Sequence, residues 1–400
     1  MNLKTTMWTL SALCAGVLLS ACGGGGGDTG EIAAAPTPPT APNPPPPPPP
    51  PPPGGGSAAG LPPELQALPA AANCQALRST SYRVIAPRFS SLAQETDIMA
   101  FDAGTLTARF SDGPDTWVPN GDCRFTIFSS QAHPGDAVVA PSGVIVARYY
   151  AGDDGAYRIA LLFPEQSHTL ADWQGDWRFI GVEQSTPATS AANAKYTSLA
   201  GSASIDGAGH VGNLSVCPSL ADCQAVAQTF TLSADAAGGF HDDDPSGSAR
   251  WFLYRAASGT IAVVLDGDSS FDIVTPATAR SLPAVGDENH NWNLFANTSL
   301  LSSNATSLSD FTVVSVDAAA GSWSRQASGD GHVETLLLNQ PTTGYTQRPA
   351  ASATASDGST VTVQAFVAMP LSGMGMSALW LPNLGDPSLP GAFMLSVNRP

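Results

Sequence analysis

Val144-Ile-Val-Ala-Arg-Tyr149, the turn Ala151-Gly-Asp-Asp-Gly-Ala156 and the apolar run that follows to Leu162 read as two antiparallel strands joined by a hairpin. Alternation of bulky and polar side chains needs a period of two, and Gly with Asp supplies the backbone freedom of a tight turn. The same pattern recurs outward in both directions. Before it stand Tyr82-Arg-Val-Ile85, Thr105-Leu-Thr-Ala-Arg-Phe110 and Arg124-Phe-Thr-Ile-Phe128. After it come Arg178-Phe-Ile-Gly-Val182, Gln228-Thr-Phe-Thr-Leu232, Trp251-Phe-Leu-Tyr254, Ile261-Ala-Val-Val-Leu265, Phe311-Thr-Val-Val-Ser-Val316 and Phe393-Met-Leu-Ser-Val397. Helical periodicity is scarce beyond a short lead-in expected over Leu61–Ala72. The fold class expected is therefore all-β, with antiparallel strands in two or three small barrel- or sandwich-like units.

A coarse repeat supports several units. Hairpins Val144–Leu162, Trp251–Leu265 and Val361–Leu381 each close a unit, and Tyr82, Trp177 and Trp292 mark aromatic strand starts. The expected division is a leader over 1–21, a tether over 22–60, and β units over 61–172, 173–288 and 289–400. The tether holds Gly23–Gly27, an unbroken proline run Pro44–Pro53 and Gly54–Gly56. Such a run forms a polyproline II rod of roughly 30 Å, at about 3.1 Å per residue. No basic or aromatic residue flanks it to make it a recognition motif, so it reads as a spacer between glycine swivels.

The N-terminus carries Lys4, an uncharged and mostly apolar stretch Met7–Leu19, and then Leu19-Ser20-Ala21-Cys22. The apolar stretch suits a signal h-region and is too short for a spanning helix, which needs about 20 residues. The tetrapeptide resembles the lipobox of bacterial lipoprotein precursors. That resemblance implies palmitate-type acylation at Cys22, cleavage before it, and a membrane held through N-terminal acyl chains. One chain anchors only marginally and two or three anchor stably, at about 0.8 kcal/mol per buried methylene. Gly23 stands where the family's inner-membrane retention signal is Asp, which implies the outer membrane, facing the periplasm or the surface.

The 400-residue chain has 16 basic and 33 acidic residues, a net charge of −17. Loss of the leader removes Lys4 and no acid, leaving Lys195 as the remaining lysine. No basic run exists, so a nucleic acid partner is not expected. Six cysteines occur. With Cys14 in the leader and Cys22 acylated, Cys74, Cys123, Cys217 and Cys223 remain as disulfide candidates in an oxidising compartment, with three possible pairings. Cys217 and Cys223 are six apart and can staple one loop, which would leave Cys74 and Cys123 to tie the N-terminal edge to a strand. A metal alternative joins His210 to Cys217 and Cys223 but lacks a fourth close ligand.

The sequence contains no nucleophile elbow, His-Glu-x-x-His pair, P-loop or dinucleotide fingerprint. No catalytic residue and no cofactor is therefore expected. Asp266, Asp268 and Asp272 have the spacing of a Ca²⁺ ligand set, without the glycine and terminal Glu of an EF-hand. His241-Asp242-Asp243-Asp244 reads as a solvated turn. Gly175-Asp176-Trp177 resembles the Gly-x-Trp opening of lipocalins and related calycin barrels. It implies a tryptophan plugging a barrel end, an arginine cap from Arg250 or Arg255, and a cavity for a small apolar ligand. The function expected is a lipid-anchored, non-catalytic binding or surface protein whose partner is a small molecule, a glycan or a protein. The alternatives are an anchored hydrolase acting on envelope or environmental polymer, and a structural envelope protein.

Overall fold

The computed structural model describes residues 60–86, 95–110, 113–128, 133–151, 156–186, 195–219, 222–243, 249–266, 270–297, 300–381 and 392–399. The leader, Cys22 and all of the tether except Gly60 lie outside them. Nearly everything described is antiparallel strand, and the units are barrels. The first ring runs through eight strands from Ser81–Ala86 to Ala156–Pro164, and closes where Leu161 pairs with Ile85. The second starts at Gly175–Thr186 and returns through Ser270–Pro276, which pairs Phe271 with Val182. Its wall is completed where Lys195–Ile205 meets His210–Ser219, and Asp222–Ala225 is an extra edge strand on the latter. The third contains eight strands from Glu288–Asn297 to Ala392–Asn398, closing with Trp292 opposite Val397.

Local sequence explains the boundaries. Strands Ile145–Ala151 and Ala156–Pro164 pair Ala151 with Ala156, while the turn at 152–155 lies outside the described residues. The lead-in is shorter than its sequence suggests: the helix is Pro63–Gln66 alone, and Ala70–Ala71 is already strand. Pro63 suits a first helical position, and Pro69 cannot continue a helix. The third hairpin is also displaced. Val361 belongs to Thr360–Val363, which pairs with Ala351–Thr354 as a separate hairpin. The barrel hairpin is Phe366–Leu371 with Met376–Leu381.

Tyr82 and Trp177 point into the first and second barrels, among their interior clusters. Trp292 does not point into the third; it packs in a different core, on the outer face. That core lies between the barrels and holds residues from all three. The first barrel sends Val146, Leu161 and Phe163, the second Ile180, Val263 and Ile273, and the third Leu294, Met369 and Leu395. Leu61 and Leu65 of the lead-in enter it as well. Strands buried on both faces read as apolar runs, which is why Ile261-Ala-Val-Val-Leu265 barely alternates: Ile261 and Val263 face the shared core, Ala262 and Val264 the lumen.

Specific contacts lock this packing. Phe271 and Phe393 meet edge to face at 5.9 Å, joining the second and third barrels. Tyr254 donates to the Ser142 carbonyl at 2.5 Å, joining the second to the first. Two hairpin turns touch backbone to backbone at Gly259 and Gly373. A Cβ on Gly259 would lie 1.9 Å from the Ser372 carbonyl oxygen, so no larger residue fits.

Candidate functional site

The second barrel's wall has a local gap. Strand His210–Ser219 begins beside Phe230–Ala234, pairing His210 with Thr231 and Val211 with Phe230. Further along it leaves that partner and pairs with Asp222–Ala225, Ser215 opposite Ala225. Beside this change of partner a groove of about 620 Å³ opens, lined by Gly212 and Asn213 together with Thr229, Phe230 and Asp243. Asn213 reaches it with φ +50°, a left-handed conformation that asparagine tolerates better than most residues.

One rim is the turn Asp206-Gly-Ala-Gly209. Asp206 Oδ1 accepts the N–H groups of Ala208 and His210, each at 2.9 Å, and Oδ2 lies 2.8 Å from His210 Nδ1. These contacts hold the Asp206 carboxyl below the usual carboxylate range, the His210 backbone N–H most of all. On the other rim Asp243 Oδ1 accepts from the Thr231 N–H at 2.6 Å. Ser204 donates its hydroxyl to Asp176 at 2.7 Å and accepts from Asn213 Nδ2 at 3.4 Å. The Ser204 proton is therefore committed to Asp176 and is not aligned on His210 as a nucleophile's would be. What the groove offers is hydroxyls, an amide and two carboxylates around one half-buried aromatic ring.

The residues singled out in the sequence are dispersed. Cys74 is bonded to Cys123 and Cys217 to Cys223. Bonded sulfurs are not thiolate ligands, which leaves His210 without the two cysteines of the metal alternative. Cys22 and Asp268 lie outside the described residues. Asp266 pairs with Ser270 through its backbone. Asp272 faces Gly181 across the sheet, so closely that a Cβ there would fall 1.7 Å from its Oδ1. Among the described residues no group of three His, Cys, Asp or Glu side chains is arranged to hold a metal ion. Asp242 is a correction to the solvated turn: it is buried, accepting from the Ala249 N–H and the Trp251 indole N–H, each at 3.0 Å. Asp244 lies outside the described residues.

Trp177 sits in the second barrel with its indole N–H donating to the Trp173 carbonyl at 2.6 Å. Trp173 comes from the 3-10 turn Leu170–Trp173 and packs against Trp177, Phe240 and Trp251, with ring centroids 5.5 to 5.9 Å apart. Arg255 holds Asp172 of that turn at 2.8 Å, and Arg250 holds Asp235 at 3.3 Å. The groove residues Ser204, Asn213 and Thr229 carry no signal in the sequence, and Asp243 reads there only as part of a solvated turn. Only the Asp-Gly-Ala-Gly turn carried a signal; the split in pairing beside it follows from the whole sheet.

No family model matches the chain, and no curated protein matches it. A solved structure of transferrin-binding protein B from Haemophilus parasuis is 9% identical, with a TM-score of 0.23 over 80% of this chain and 75% of that one. The same protein from Neisseria meningitidis is 7% identical, with a TM-score of 0.25 over 81% and 77%. Overlaps this low leave fold and site to be argued from the chain itself.

Proposed function

We propose that this chain is a lipoprotein of the bacterial outer membrane that displays a three-barrel body for binding, and that the groove of the second barrel takes a neutral glycan. The observation that carries the reading is the groove's chemistry. Hydroxyl and amide groups beside two carboxylates provide both donors and acceptors for sugar hydroxyls, and Phe230 offers a ring against which an apolar sugar face can pack. The Leu19–Cys22 lipobox and the proline-rich tether support the anchor. Among the described residues no helix is long and apolar enough to cross a membrane.

Two measurements test this. Fractionation of cells expressing Cys22→Ser should find the protein in the soluble fraction; recovery in washed membranes would remove the anchor. A glycan array probed with that soluble chain should give a ligand whose signal disappears in Thr229→Arg, which fills the exposed groove with a long side chain. A ligand that binds Thr229→Arg equally well would place recognition elsewhere.

A further inference from the structure

Inside the third barrel one carboxylate faces two guanidinium groups. Glu334 Oε1 accepts from Arg325 Nε at 2.6 Å, with Arg325 Nη2 at 2.5 Å, and Oε2 is paired with Arg348 Nη1. Register places all three in the lumen: Arg325 is opposite Glu334, and Arg348 is opposite Phe366 of the interior cluster. Each guanidinium lies over an aromatic face, Arg325 above Phe311 at 3.9 Å and Arg348 above Phe366 at 4.1 Å. Arg348 Nε also donates to the Gln364 carbonyl at 2.8 Å. His332 Nε2 is 3.8 Å from Glu334, and its Nδ1 is 2.5 Å from Asp330, a turn carboxylate 45% exposed to solvent.

A buried carboxylate needs one cation to compensate it, and a second cation carries its own desolvation cost. The lumen therefore holds an excess positive charge within a chain of net charge −17. Burial, opposed by Glu334 and aided by repulsion from Arg348, pulls the Arg325 guanidinium below its ordinary range. Exposure also has a direction. The Glu334 side chain is 0% exposed, whereas Arg325 and Arg348 keep 17% and 16%. The anion is sealed, while each cation keeps an exposed part. Beside them Trp323, Leu381 and Met394 belong to the interior cluster yet stay only half-buried. Apolar walls with a few convergent polar groups are the composition of a ligand site.

We propose that the lumen of the third barrel binds a small organic anion, its acid group on Arg325 and Arg348 and its apolar body against Trp323, Leu381 and Met394. This site is separate from the groove of the second barrel. The acid group can be carboxylate or sulfonate, since both accept from a planar guanidinium. Arg348→Gln leaves Glu334 paired with Arg325 and removes only the excess charge. Glu334→Gln raises that charge.

The probe is anilinonaphthalene sulfonate, with phenylnaphthylamine, which lacks the sulfonate, as its neutral counterpart. Both are titrated by fluorescence into the full chain carrying Cys22→Ser. The sulfonate should bind saturably and about tenfold more tightly than the amine, the ratio that roughly 1.4 kcal/mol of charge recognition gives. Arg348→Gln should erase that preference and leave the amine unchanged, and Glu334→Gln should strengthen sulfonate binding. Near-ultraviolet circular dichroism of each variant confirms retained packing. Equal affinity for the two probes, an unaltered preference in Arg348→Gln, or weaker sulfonate binding by folded Glu334→Gln would each overturn the proposal. Thr229→Arg should bind the sulfonate normally, so a failed groove and a failed lumen are told apart.

Discussion

The second and third barrels share a strand count and an antiparallel wall, and they are filled in opposite ways. The second is packed with rings: Trp173, Trp177, Phe240 and Trp251 crowd one end, with Val264 and Leu253 behind them. The third has Leu336, Phe366, Ala368 and Leu379 as its buried apolar interior, while Asn291, Asn293, Glu334 and Ser396 are buried polar residues on inward positions. Its strongest apolar face is the outer one, where Trp292, Val367, Met369, Trp380, Phe393 and Leu395 meet the other barrels. A barrel can keep a polar lumen when its stability comes from outside. The third is the one built that way, and the one with charged groups left over for a ligand.

The largest expected effect tests that dependence. Phe393 is fully buried on the outer face of the third barrel, edge to face with Phe271. Phe393→Ala should cost about 3–5 kcal/mol, as large-to-small changes in a rigid core do. Leu379→Ala, on the inner face, should cost about 2 kcal/mol because neighbouring side chains are already half-solvated. Urea unfolding followed by tryptophan fluorescence gives both values. An inner-face loss larger than the outer one would break the comparison.

Disulfides sharpen it from the other side. No cysteine lies beyond Cys223, so the third barrel has no covalent staple. Cys74–Cys123 spans 49 residues and Cys217–Cys223 spans 6. Loop-closure entropy assigns about 4 kcal/mol to the first and about 2 kcal/mol to the second. Paired Cys→Ser variants should lower the unfolding midpoint in that order. Equal losses would mean that loop length does not set the scale, and a gap wider than about 2 kcal/mol would point to the burial of Cys74 and Cys123 beside Trp117 and Phe125.

These asymmetries mark how far the sequence could be read. Strand identity was local: Val144-Ile-Val-Ala-Arg-Tyr149 is rich in β-branched and aromatic residues, apolar where both faces are buried, and Gly- and Asp-rich stretches such as Ala151-Gly-Asp-Asp-Gly-Ala156 punctuate the sequence. Closure into barrels was not local, because Leu161 meets Ile85 across 76 residues of chain, a pairing that no window contains. The shared core was hidden for a related reason. An apolar residue on an outer face looks the same in sequence as one on an inner face, so Trp292 was grouped with Trp177 although their rings sit in different cores. The groove and the charged lumen share that origin: Asn213 with Thr229, and Arg325 with Glu334 and Arg348, are assembled by register rather than by a motif.

The smallest effect probes the joint between the two barrels directly. Tyr345, on the third barrel's side, donates its hydroxyl to the Gly201 carbonyl of the second at 2.6 Å and lies 3.0 Å from that of Phe179. Burial, above all, raises its phenol well past the ordinary value of about 10, and the same holds for Tyr82 and Tyr254. A group whose folded pKa is raised contributes stability that is fully present below its unfolded pKa and fades as pH climbs toward the folded value. Stability should thus be flat to about pH 9 and decline above about pH 10, where an unfolded tyrosine ionises and a buried one resists. Tyr345→Phe should cost about 1 kcal/mol at neutral pH through the lost hydrogen bond, and make the alkaline decline shallower, since one of the resisting phenols is gone. Urea midpoints measured between pH 8 and 11 decide it. If the variant declines as steeply as the parent, Tyr345 ionises as readily folded as unfolded, and the joint between the barrels is looser than its hydrogen bonds imply.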